Sequence, residues 1–186
     1  AMDDTVRFAG RADEAPAYAA TLATDGLPAD LAASGGVAVV VTNKAVQLIK
    51  AKKLVATNAA PGFEPTACAL NKAATEAAVG GADGKIRVYA VGAGALTLTR
   101  TLEGHRGPIT SLAYAPDQSK LVSSCKMRLI MVWNAADGKP LVSDEWCFHT
   151  AVPLRVNWSP GEKWRHRYLV FFFVRLLVFC VACGVW

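Results

Sequence analysis

Histidine is scarce in this 186-residue chain, with only His105, His149 and His166. His105 and His149 stand 44 residues apart at matching places, so they read as structural, and acid–base catalysis has little to draw on. No phosphate-cradling loop is evident either. Gly80-Gly81-Ala82-Asp83-Gly84 joins two strand-like runs with no helix pattern after it. The carboxylates Asp3 and Asp4, Glu64, and Asp144-Glu145 fall in loops or at edges and read as solvated surface. An enzyme is therefore not expected, and neither is a bound cofactor.

Cysteine is limited to Cys68, Cys125, Cys147, Cys180 and Cys183. An odd, irregular set fits reduced thiols in an intracellular protein better than a disulfide framework. Cys180-Val-Ala-Cys183 has no second pair, so a structural zinc site lacks half its ligands. No metal is expected. Charge is also thin. The net charge is +5, but Arg165, Arg167 and Arg175 sit in the last 22 residues with no acidic residue among them. No basic stripe interleaved with aromatics appears, which argues against nucleic acid. No signal peptide is read at the start.

What the chain does have is a repeat of about forty residues. Asp83-Gly84-Lys85-Ile86-Arg87-Val88-Tyr89 and Arg128-Leu129-Ile130-Met131-Val132-Trp133-Asn134 are its clearest copies, with weaker ones at residues 3–9 and 43–49. Their last apolar positions, Ala9, Ile49, Tyr89 and Trp133, are 40, 40 and 44 apart. Tyr114-Ala115-Pro116-Asp117 returns 44 residues later as Trp158-Ser159-Pro160-Gly161. A unit of this length is four strands, a propeller blade that cannot bury both faces alone. The fold expected is all-β, an incomplete propeller of about three full blades with partial blades at each end. Because the chain opens inside a motif, and rings need about 4–8 blades, it is expected to be part of a larger protein.

The strands follow from the punctuation. Val37 to Thr42 is a continuous apolar run, as in a strand covered on both faces. Turns are expected at Asp25-Gly26, Ser34-Gly35-Gly36, Asn43-Lys44 and Asp137-Gly138. Lys52 and Lys53 suit an exposed edge strand over 51–58. Thr97 to Leu102 alternates polar and apolar residues like an outer strand. Inner strands are expected at 109–114, 121–125 and 129–133, an outer strand near 141–148, and a further blade opening at 152–158.

Gly104-His105, followed 28 residues later by Trp133-Asn134, resembles the signature of WD-repeat propellers. That family builds a buried relay from a His, a Ser or Thr, a Trp and a turn Asp. The resemblance assigns His105, Ser123 and Trp133 to it. Met127 holds the Asp slot, so His105 should lose its carboxylate and need another acceptor. One blade earlier Asp83 is present, but Val79 and Tyr89 replace the Ser and Trp. These residues are expected to stiffen blades, without chemistry. Met2 to Phe8, Gly36 to Val41, Ala60-Pro61-Gly62-Phe63-Glu64-Pro65 and Ala78 to Tyr89 further resemble the actin-interacting protein 1 family, double propellers that assist cofilin. Order and spacing agree over about residues 1–161, within the second propeller. The resemblance implies a cytoplasmic protein of the actin cytoskeleton whose partners are actin filaments and cofilin. A generic WD-repeat scaffold is the alternative.

After Gly161-Glu162-Lys163 the pattern stops. Tyr168 to Trp186 has one charge, Arg175; as a helix it would span about 28 Å, near a bilayer's core. Residues 162–186 are thus read as a divergent apolar tail. Three readings are open, in this order: a non-native end, a membrane anchor, or strands completing the last blade. Membrane contact is expected only if the tail is a genuine span.

Overall fold

The computed structural model describes residues 5–9, 18–59, 62–142, 152–158, 167–174 and 177–184. They form five antiparallel sheets and no helix. The first sheet pairs β1 (Thr5–Ala9) with β2 (Tyr18–Ala23). Three four-stranded blades follow in meander order. Blade 1 holds β3 (Pro28–Ser34), β4 (Val37–Thr42), β5 (Ala45–Lys50) and β6 (Lys53–Ala59). Blade 2 holds β7 (Pro65–Leu70), β8 (Glu76–Gly81), β9 (Ile86–Val91) and β10 (Leu96–Leu102). Blade 3 holds β11 (Ile109–Tyr114), β12 (Lys120–Cys125), β13 (Ile130–Asn134) and β14 (Pro140–Val142). The last sheet joins β15 (Arg155–Trp158), β16 (Arg167–Val174) and β17 (Leu177–Gly184). The expected architecture, three full blades between two partial ones, is what the chain adopts.

The blades pack face to face, and strand alternation sorts each side chain to one seam. On β9, Ile86 and Val88 join the core between blades 2 and 3, while Tyr89 joins that between blades 1 and 2. On β13, Met131 and Trp133 face blade 2, whereas Ile130 and Val132 face the last sheet with Val156. Val37–Thr42 shows why such strands read as unbroken apolar runs. Val39 and Val41 face blade 2, while Ala38 and Val40 face Leu22 of the first sheet. Each fully buried Val or Leu contributes roughly 1.5–3 kcal/mol, and neither face could stay dry without a neighbour.

The inner strands β3, β7 and β11 each open with a bulge at their second residue, Ala29, Thr66 and Thr110. The bulge bends each strand where it meets the next blade. Gly80 on β8 has no room for a side chain. A Cβ there would lie 2.5 Å from the Ile109 side chain of the following blade.

Some expectations meet the structure differently. The edge strand starts at Lys53, because Ala51 and Lys52 form a turn in the left-handed region, φ 48° and 63°. Of the outer strand expected over 141–148, Pro140–Val142 is described and the rest lies outside the described residues. His149, His166, Asp3, Asp4, Asp144, Glu145 and Cys147 also lie outside them. Residues 167–174 and 177–184, considered above as a helical span, are two strands, β16 paired to β15 and β17 paired to β16. Among the described residues no helix is long and apolar enough to cross a membrane.

Candidate functional site: two blade locks and the ties between blades

His105, Ser123 and Trp133, which the resemblance grouped, lie together in blade 3. Trp133 lies on β13, Ser123 beside it on β12, and His105 in the loop that enters β11. The Trp133 indole N–H donates to Ser123 Oγ at 2.8 Å, and His105 Nε2 lies 2.6 Å from the same oxygen. The hydroxyl proton of Ser123 can then go to Nε2, which leaves the imidazole proton on Nδ1. All three are buried. Burial alone lowers the His105 pKa from 6.5 to about 4, so the ring is neutral at physiological pH. The tilted His105 and Trp133 rings stand 6.2 Å apart.

The expected substitute acceptor for Nδ1 is not found. Among the described residues that atom is buried with no hydrogen-bond partner. Met127, in the position of the absent carboxylate, turns outward and is 62% exposed. Leaving such a group unpaired costs about 1–3 kcal/mol, so blade 3 keeps its relay at reduced value.

Asp83 and Tyr89 are not part of that relay. Tyr89 is buried in the seam between blades 1 and 2, and burial raises its pKa. Asp83 sits in the β8–β9 turn, where its carboxylate accepts from Arg87 Nη2 at 2.7 Å. That bond, ahead of the turn N–H of Lys85, holds the Asp83 pKa below the usual carboxylate value. The Arg87 guanidinium in turn lies 3.7 Å over the centre of the Phe63 ring, a favourable cation–π distance. Phe63 occupies the loop entering β7, as His105 occupies the loop entering β11. Blade 2 therefore fastens the same corner with an Asp83–Arg87–Phe63 stack, where blade 3 uses His–Ser–Trp. Arg87 and Phe63 stand in segments that carry the family resemblance, but neither is one of the relay's residue types, so the sequence does not mark their contact.

A second set of missed residues ties blade to blade. Thr66 Oγ1 donates to the Ile109 carbonyl at 2.8 Å, and Thr110 Oγ1 donates to the Pro153 carbonyl at 2.7 Å. Donor and acceptor both recur after 44 residues, the signal that could have revealed them. Asp30, Ala67 and Ser111 are the third residues of β3, β7 and β11, and Arg155 opens β15. Asp30 accepts the Cys68 N–H at 3.0 Å, and Ser111 accepts the Val156 N–H at 3.2 Å. Ala67 has no oxygen to offer Leu112. Arg155 reaches back to Asp30 at 3.8 Å. Farther out, Arg100 bonds Glu76 at 3.0 Å and the Ala135 carbonyl, joining blade 2 to blade 3.

Cys68 and Cys125 are free and buried, and burial raises the Cys68 thiol's pKa well above its ordinary value, which disfavours the reactive thiolate. Among the described residues no group of three or more His, Cys, Asp or Glu could hold a metal ion. What the residues build is a frame fastened within and between blades.

Comparison with known proteins agrees with this frame. The family model described as "WD domain, G-beta repeat" matches residues 96–134, from β10 through the whole of the relay. The "66 kDa stress protein" of Physarum polycephalum is 34% identical over 165 residues, covering 87% of this chain and 27% of the relative. "Actin-interacting protein 1" of Drosophila melanogaster is 33% identical over 100 residues, covering 54% of this chain and 16% of the relative. The chain thus spans at most 27% of the length of either relative. A chain in the crystal structure of a mitotic checkpoint complex superposes with a TM-score of 0.74 at 18% identity, covering 92% of this chain and 56% of that one. At that identity the likeness concerns the fold alone. By its blades and by these relatives, the chain belongs to the WD-repeat β-propeller proteins, in the group of actin-interacting protein 1.

Proposed function

We propose that this chain is part of a propeller platform that binds actin filaments and assists cofilin in their disassembly and end capping. The observation that carries the reading is sequence similarity of about one residue in three to a protein named for its interaction with actin, over 54% of the chain. The blade frame supports a scaffold, because its polar residues are spent on fastening blades. In this reading residues 1–161 carry the propeller, residues 162–186 are a tail divergent in sequence whose strands β16 and β17 extend the last sheet, and the protein works in the cytoplasm on the actin cytoskeleton.

Co-sedimentation with filaments, alone and decorated with cofilin, tests it. The expected result is recovery in the pellet that increases with cofilin. Failure of the complete parent protein to pellet under either condition removes the actin assignment. The alternative, a scaffold for unrelated partners, rests on the breadth of the fold. A pull-down dominated by non-cytoskeletal proteins would favour it.

A further inference from the structure

The loop entering β11 and the β12–β13 turn meet at one end of blade 3. Lys126 N–H donates to the Pro108 carbonyl at 2.9 Å, and a Cβ on Gly107 would lie 2.7 Å from Met127 Cγ. Arg106 on the loop and Lys126 and Arg128 on the turn are all exposed. Their side chains have no hydrogen bond or ion pair among the described residues. The same end of blade 2 is different. There Lys85 is held by Glu103 at 2.7 Å, and Arg87 by Asp83 at 2.7 Å. Glu64, in the loop entering β7, is the other exposed acid on that end of blade 2.

The turn is also rigid. Arg128 N–H donates to the Cys125 carbonyl at 3.1 Å, Cys125 N–H to the Leu129 carbonyl at 3.1 Å, and Arg128 is fixed at φ 66°. Three exposed cations, without a partner among the described residues, therefore lie in the two segments that meet at the outward Met127, on a frame that needs little ordering to bind. Such a site rewards a ligand that is anionic at its rim and apolar at its centre.

We propose that this end of blade 3 docks an acidic protein segment bearing one large apolar residue. Met127 receives the apolar side chain, and Arg106, Lys126 and Arg128 receive the flanking carboxylates. The proposal goes beyond the actin reading and does not rest on it, because its test uses a peptide and no filament.

The probe is a fluorescently labelled Asp/Glu-rich peptide with a single central Leu, titrated with the full chain and followed by anisotropy across a salt series. Binding is expected at low salt and should weaken as salt rises. The triple variant Arg106→Glu, Lys126→Glu, Arg128→Glu should bind at least about tenfold more weakly. Met127→Ser, or the peptide with Ser in place of Leu, should cost about fivefold. Lys139→Glu, on the β13–β14 turn at the other end of the blade, should change nothing. Absence of binding at low salt, or unchanged binding by the triple variant, overturns the proposal. Tighter binding of oligo(dT) than of the peptide overturns it too, and points to nucleic acid. Should the triple variant fail to fold, the single reversals Arg106→Glu and Arg128→Glu decide, each expected to weaken binding.

Discussion

His105 shows how one side chain links burial to pH. Its pKa is about 4 in the fold and 6.5 when exposed. Between those values the unfolded chain takes up a proton that the folded chain refuses. The stability His105 contributes is therefore complete above about pH 6.5 and is lost as the pH falls toward about 4. The difference amounts to at most about 3 kcal/mol. Denaturant unfolding at pH 7.5 and pH 4.5 should show this loss. His105→Gln, which does not titrate, should flatten the dependence at the cost of lower stability at pH 7.5. An equal slope in both proteins would assign the effect to other groups. The trio of His105, Ser123 and Trp133 was suggested by the WD-repeat resemblance, because that family's relay uses particular residue types. The Phe63–Arg87 stack was not, because a planar cation and a ring can be supplied by many residue pairs.

Most blade strands were legible in the sequence, since runs covered on both faces are bounded by turn residues. Val37–Thr42 and Ile109–Tyr114 fall where the sequence put them. The start of β6 was misplaced because Ala51 and Lys52 take left-handed conformations without glycine's help. The bulge threonines escaped notice because threonine suits any strand. The inner-strand ties yield a test at this scale. Asp30 and Ser111 each accept an N–H from the following blade, but Ala67 cannot. Ala67→Ser should supply the missing acceptor to Leu112 and raise the unfolding midpoint, a gain of about 1 kcal/mol. The reverse change, Ser111→Ala, should lower it by a similar amount. Opposite signs for the two substitutions in thermal unfolding would support the tie. A loss in both would mean that the Ala67 site has no space for an oxygen.

Across the whole molecule, protection depends on neighbours. Blade 2 has a complete four-stranded blade on each side, whereas blades 1 and 3 each border a smaller sheet. Stability that is a sum of nearest-neighbour seams should therefore peak in blade 2. Native-state hydrogen exchange is expected to be slowest for the amides of β8 and β9, with faster exchange in β6 and β14. Slowest exchange in the first or last sheet would contradict the seam picture.

The alternating faces of the middle strands have a further consequence. In a sheet wet on one side, a one-residue slip drives apolar groups into water and is rejected at once. Here Ile86, Val88 and Tyr89 would merely trade one oily cleft for another. Hydrophobicity thus does little to detect misalignment in these strands, and that task falls to Ser123, Thr66, Thr110 and the bulges, whose hydrogen bonds form in a single alignment. The few polar groups inside this protein act as its alignment marks, and variants that replace them with apolar look-alikes should populate shifted pairings before they lose compactness.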